Sequence, residues 1–273
     1  MHIPTAMLNG TVCPITLAVG GLGVAAAGYA ARHSAKKPSA IRFAAVTALI
    51  FALQMLNFPV QSGTSGHLIG AVLGVSLLGV PFAVLSMAIV LSVQALVFGD
   101  GGVAALGANV LNMGIIGAGV AGIILQNLER RNINVNIRIP VAAWLSVMAA
   151  ALGCSLEVAV SGTAALSKIL PAMLSVHALI GIGEAAITLG VLCAFAKVKE
   201  QALSLAAFAL AALAVIASPL ASSYPDGLER VATNLSITSD PAANYTVITA
   251  LLGVGLIVIS SMAAARFCKP SCA

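Results

Sequence analysis

The sequence predicts an all-α integral membrane protein of about nine transmembrane helices, with its N-terminus outside and its C-terminus cytoplasmic. Three observations predict it. Of the 273 residues, 60% are hydrophobic and 8% charged, whereas a soluble domain carries about 25% charged residues; lipid must solvate much of this chain. The apolar stretches are rich in Ala, Gly, Val and Leu without period-two alternation, which favours helices over a membrane β-barrel. The basic residues stand in short loops between those stretches, and alternation of the helices gathers nearly all of them on one side.

A spanning helix needs about 20 apolar residues. The first candidate is 12–31 and the second 41–60. The third, 67–79, is too short to cross alone at about 1.5 Å per residue. It either starts below the membrane surface or forms a hairpin with the fourth, 81–98, broken at Pro81. Then follow 103–128, 139–160, 173–196, 202–220 and 246–265. Arg32, Lys36, Lys37 and Arg42 follow the first stretch, and Arg130, Arg131 and Arg138 the fifth. Lys197 and Lys199 follow the seventh, and Arg266 and Lys269 the ninth. These eleven share one side, against Lys168 and Arg230 on the other, and the positive-inside rule makes the richer side cytoplasmic.

The net charge of +5 is therefore an orientation signal and not a nucleic-acid footprint. No basic region precedes the first stretch and no small-residue cleavage site follows it, so the mature chain is expected to begin at Met1. Of the five cysteines, Cys268 and Cys272 form one C-x3-C, read as unbridged cytoplasmic thiols.

Topology places the polar residues by depth. His2 lies outside or dips into the bundle from there, and His67 opens the third stretch. Asp100 sits in the outer turn 99–102. Gln54 and Asn57 belong to the outer part of the second helix, Asn109 and Asn112 to that of the fifth, and Glu157 to the outer end of the sixth. His177 and Glu184, seven apart, share one face of the seventh. Buried ionisable groups are costly in a bundle and are candidates for function. Gln54, Asn109 and Asn112 taken singly are more readily explained by hydrogen bonds between helices.

A terminal amine followed by histidine is a chelator. The Met1 amine, the deprotonated His2 amide nitrogen and His2 Nδ1 close two fused rings on one ion, and square-planar nitrogen sites suit Ni(II) or Cu(II). One further imidazole completes the plane, and His67 lies on the correct side.

Several stretches carry a resemblance. They are Met-His-Ile-Pro at 1–4, Gln54-Met-Leu-Asn-Phe-Pro-Val60, Gly63-Thr-Ser-Gly-His-Leu-Ile-Gly70, Phe98-Gly-Asp-Gly-Gly102, Leu106-Gly-Ala-Asn-Val-Leu-Asn-Met113 and His177-Ala-Leu-Ile-Gly-Ile-Gly-Glu184. Together they resemble the CbiM/NikM family, the substrate-capturing S components of energy-coupling-factor (ECF) transporters for cobalt and nickel. The resemblance implies that Met1, His2 and His67 hold the ion. Gln54, Asn57, Asp100, Asn109 and Asn112 would support them, with His177 and Glu184 as further candidates. Thr5-Ala6 departs from the Asp-Gly that often follows in cobalt-type members.

Tyr224-Pro-Asp-Gly-Leu-Glu-Arg230 resembles the small two-helix N component of such transporters, although a plain type I turn accounts for Pro225 and Gly227 equally well. The expected division is thus 1–200 as a metal-capturing M-type domain and 201–273 as an N-like segment. The resemblance implies a transmembrane coupling (T) protein and cytoplasmic ATPase subunits as partners, since no G-x4-G-K-[ST] loop occurs here. It implies no cofactor; Ni(II), less readily Co(II), is the transported ligand. Two competing readings are a secondary transporter with a His177–Glu184 proton relay and an intramembrane metalloenzyme. No HExxH or GxSxG motif and no repeated halves support them. Gly23, Ala27 and Ala31 form a small-residue stripe suited to docking the coupling protein or to packing within the bundle.

Overall fold

The computed structural model describes residues 1–61, 63–237 and 245–268; Ser62, Lys269 and Cys272 lie outside the described residues. After a short N-terminal segment, α1 (Val12–His33) packs on the outside of the bundle, with most of its residues exposed. It crosses α5 (Leu106–Arg130) backbone to backbone. A Cβ on Gly107 would stand 2.3 Å from Leu17, and one on Gly20 would stand 2.8 Å from the Gly107 carbonyl. The small-residue stripe packs inside: a Cβ on Gly23 would meet Ile115 of α5 at 2.2 Å, and Ala27 and Ala31 are buried.

The central element is α2 (Ala40–Gln54), capped by Ser39 and buried at every residue from Phe43 to Gln54. A helix apolar all round belongs in a core, and α8 (Glu200–Leu220) and α10 (Val247–Phe267) cover it. The expected second helix, 41–60, ends early. Pro59 disfavours helical backbone at Phe58, and β1 (Phe58–Pro59) pairs antiparallel with β2 (Ser65–Gly66). His67 to Gly70 continue without helix, so α3 (Ala71–Leu78) is shorter than the expected 67–79. Gly70 and Gly79, both at φ +81°, bound it on either side. Eight residues rise about 12 Å, less than half of a bilayer core of about 30 Å.

The chain turns back at Gly79 into α4 (Val80–Phe98), whose last five residues, Gln94–Phe98, widen to a looser turn. The same widening occurs within α5 at Val110–Ile116; such turns cluster at functional sites. Next, α6 (Val135–Val160) and α7 (Leu166–Phe195) form an antiparallel pair. The seventh helix starts earlier than the expected 173, taking Lys168 and Pro171 into its first turns. A short amphipathic α9 (Gly227–Asn234) lies between α8 and α10. Among the described residues, seven helices are long and apolar enough to cross a membrane: α1, α4, α5, α6, α7, α8 and α10. This is an all-α integral membrane protein. The four described thiols, Cys13, Cys154, Cys193 and Cys268, are unbridged.

Candidate metal centre

The first three residues turn back into the bundle, with Met1, His2 and Ile3 only 4%, 9% and 1% exposed. Asn109 on α5 holds Ile3 as a neighbouring strand would, accepting from its amide at 2.8 Å and donating to its carbonyl at 3.1 Å. The Gly102 amide donates to the same carbonyl at 3.0 Å. A Cβ on Gly102 would stand 2.2 Å from the Thr5 nitrogen, so this turn admits the terminus only as glycine. The Thr163 hydroxyl donates to the Met7 carbonyl at 2.8 Å and fixes the far end of the segment.

The Met1 amine touches His67 Nε2 and donates to Asp226 Oδ2 at 2.8 Å. The His67 tautomer is set behind it: Nδ1 donates to the Leu68 carbonyl at 3.1 Å, which leaves the lone pair on Nε2, facing the amine.

A chain of amides sets the tautomer of His2. The Ile69 carbonyl can only accept, so Gln54 presents Nε2 to it at 2.7 Å. Gln54 Oε1 then accepts from Gln94 Nε2 at 2.9 Å, which turns Gln94 Oε1 towards His2 Nε2 at 3.2 Å. An amide oxygen accepts, so His2 carries its proton on Nε2 and Nδ1 is bare. Burial pushes this imidazole down to about 4, against the pull of the Asp100 carboxylate, and the ring is neutral at pH 7. Nδ1 lies 3.3 Å from Asp100 Oδ1. The His2 and His67 rings are near-parallel, 18° apart with centroids separated by 4.9 Å. Deeper in, Glu184 on α7 accepts from the Ile69 and Gly70 amides, which anchors the stretch that carries His67.

The Pro225–Glu229 motif explains itself in place. Asp226 and Glu229 form a capping box on α9, each side chain accepting from the other's amide at 2.8 Å. The Pro225 carbonyl accepts from the Ser65 amide at 2.8 Å. A Cβ on Gly227 would crowd Ile180 at 2.7 Å and His177 at 3.0 Å. Asp226 Oδ1 thus caps a helix while Oδ2 meets the amine. Burial opposes its charge, yet the Met1 ammonium holds its carboxyl well below the usual carboxylate range.

Outside the imidazoles lies a cavity of about 70 Å³ walled by His2, His67, Asp100, Asp226, Glu229 and Tyr245. Tyr245 donates its phenol proton to Asp100 Oδ2 at 2.7 Å; burial, then the Asp100 charge, pushes that phenol well above its ordinary range. Three carboxylates around two imidazoles can draw in a divalent cation and then offer it nitrogen. Among the described residues no group of three or more His, Cys, Asp or Glu side chains is arranged to hold a metal.

Comparison with known proteins decides the family. Residues 2–202 match CbiM, described as the cobalt uptake substrate-specific transmembrane region. The chain belongs to the CbiM family.

This CbiM-family chain is 36% identical over 255 residues to the "Putative fused nickel transport protein NikMN" of Archaeoglobus fulgidus, covering 88% of this chain and 85% of that one. It is 37% identical over 199 residues to a "Putative metal transport protein" of Haloquadratum walsbyi, covering 70% and 88%. The crystal structure of a truncated transition metal transporter superposes with a TM-score of 0.66 at 31% identity, covering 72% of this chain and 99% of that one. The protein is accordingly a multi-pass membrane protein of metal transport and not an enzyme.

Within this CbiM-family fold, Met1, His2, His67, Gln54, Asp100, Asn109 and Glu184 stand in one connected cluster. Asn57 lines the outer cavity, and its carbonyl accepts from the Ser222 amide at 2.8 Å. His177 flanks Met1 and His67 from α7. Asn112 stands apart: its amide donates to Glu157 on α6, because the widened turn at Val110–Ile116 carries it off the face of Asn109. Two participants escape the sequence. Gln94 is one polar residue inside an apolar helix with no motif around it. Asp226 is visible only as part of a loop signature.

Proposed function

We propose that this chain is the substrate-capture S component of an ECF-type uptake transporter for nickel, with cobalt as the lesser cargo. The ion sits in a square plane of the Met1 amine, the deprotonated His2 amide nitrogen, His2 Nδ1 and His67 Nε2. The observation that carries this reading is the contact of the Met1 amine with a His67 nitrogen that has no proton, beside a His2 whose Nδ1 is also bare. Square-planar nitrogen donors favour Ni(II), and Co(II) accepts that plane less readily. Relatives named for nickel, the NikMN of Archaeoglobus fulgidus among them, support the same cargo.

In this reading residues 1–200 capture the ion and residues 201–273 are the N-like segment that brings Asp226 to it. Asp226 is the counter-charge of the ammonium before capture and of the ion afterwards. The N-terminus faces outside, where the carboxylate-walled cavity meets incoming cations. A transmembrane coupling protein and cytoplasmic ATPase subunits supply the energy.

Acetylation of Met1 tests the donor set, because it keeps the register and removes only the basicity of the amine. Calorimetric titration of acetylated, correctly folded protein is expected to show no nickel binding. Full nickel and cobalt affinity after acetylation would overturn the mechanism.

A further inference from the structure

We propose that His177 is the entering ligand that lets the captured ion leave its square plane, coordinating it transiently through Nε2. The inference rests on the nickel-capture reading above and adds a residue to its exchange step. His177 is 1% exposed on α7. Its Nδ1 donates to the Met173 carbonyl one turn earlier, at 2.8 Å, so the proton is on Nδ1 and the lone pair on Nε2. That nitrogen has no hydrogen-bond partner among the described residues. A buried acceptor left unpaired is costly and calls for an explanation.

The explanation lies in what it faces. His177, Met1 and His67 line one small cavity of about 10 Å³, which shares His67 but none of the outer carboxylates with the larger cavity. Ile69, Val147 and Ile180 complete the walls and provide no polar side chain. The volume is at the lower limit for a single water, roughly 10–15 Å³, and such a water needs two to four polar partners. A cation moving out of the plane finds there one neutral imidazole nitrogen with its lone pair ready. Gly227 makes the arrangement possible, since a Cβ there would stand 3.0 Å from His177 Cε1.

The chemistry gives this nitrogen a task. Square-planar d⁸ ions exchange ligands associatively: a fifth donor adds beside the plane before an original donor departs. A chelate containing a deprotonated amide is tight and slow to open, and in the small apolar cavity His177 is the one side chain outside the donor set that offers a lone pair. In the step proposed here the His177 Nε2 lone pair forms the new bond to Ni(II), and the bond from the Met1 amine breaks with its electron pair kept on nitrogen. The proton stays on Nδ1, hydrogen-bonded to the Met173 carbonyl, and no electron changes hands.

The test is the rate at which an excess of a strong chelator strips Ni(II) from the purified full chain, followed by the absorption of the planar complex. His177→Ala and His177→Phe are compared with the unaltered protein. Both variants are expected to keep the spectrum and equilibrium affinity while release slows roughly 10- to 100-fold. Equal release rates with an intact spectrum overturn the role of His177 alone. A changed resting spectrum overturns it as well, because the residue would then be a permanent ligand or a structural support. If the unaltered protein binds no Ni(II), the capture reading falls and this inference falls with it.

Discussion

A backbone amide gives up its proton to a metal only when donors on both sides hold the ion against it. Residue-scale outcomes follow from that. His2→Ala removes the ring donor beside the amide and is expected to cost more nickel affinity than His67→Ala, which leaves the amine and the His2 chelate in place; parallel titrations of the two variants check the order. Capture also displaces about two protons per ion, one from the Met1 ammonium and one from the His2 amide. Titrations in buffers of different ionisation enthalpy read that number, and a release near zero would exclude amide coordination. Gln94 touches no ion in this scheme, yet its oxygen holds the His2 proton on Nε2. Gln94→Leu should therefore weaken binding roughly 10- to 100-fold without unfolding the bundle, as circular dichroism would show. The proposed donors stand out in the sequence because a terminal Met-His is itself a chelator. Gln94 does not, since its role depends on the Gln54 side chain and the Ile69 carbonyl, which only the fold brings into line.

Among the elements, the short ones govern the site. Gly102 lies where the N-terminal segment enters, and Gly102→Ala would place a methyl 1.9 Å from Thr5 Oγ1. The segment must then withdraw. Nickel binding should be lost while the thermal unfolding of the helices is nearly unchanged, and an unaffected titration would refute the close approach. The cap of α9 separates the two duties of Asp226 in the same way. Asn is as good an N-cap as Asp, whereas Ala costs about 1 kcal/mol. Asp226→Asn should keep the α9 cap but lose the charge that pairs with the Met1 ammonium and so bind nickel more weakly, and Asp226→Ala should lose the cap as well. Long apolar stretches were legible at this scale because composition alone marks them. The early end of α2 and late start of α3 were not, because they depend on the pairing of Phe58–Pro59 with Ser65–Gly66, which no periodicity announces. Asn112 misled for a related reason: a widened turn changes the facing of every residue after it.

For the whole molecule, orientation and energy supply are the testable properties. With the N-terminus outside, a cysteine at Ser223 should react with an impermeant reagent in intact cells, and one at Asn132 only after lysis; the reverse pattern would invert the topology. Uptake should stop when ATPase subunits are absent, and sustained accumulation without them would favour a secondary transporter. The contact between the Met1 amine and Asp226 joins residues 225 positions apart. A ribosome adding about 5–20 residues per second needs roughly 10 to 45 seconds to span that interval. The first nitrogen to be translated therefore waits, through the insertion of most of the helices, for a partner made near the end. During that wait it is within reach of every enzyme that trims or caps nascent termini. If the Met1 amine is the donor proposed above, such processing during synthesis decides whether a finished molecule can hold its cargo, and one formyl or acetyl group left behind would yield a folded protein that stays empty.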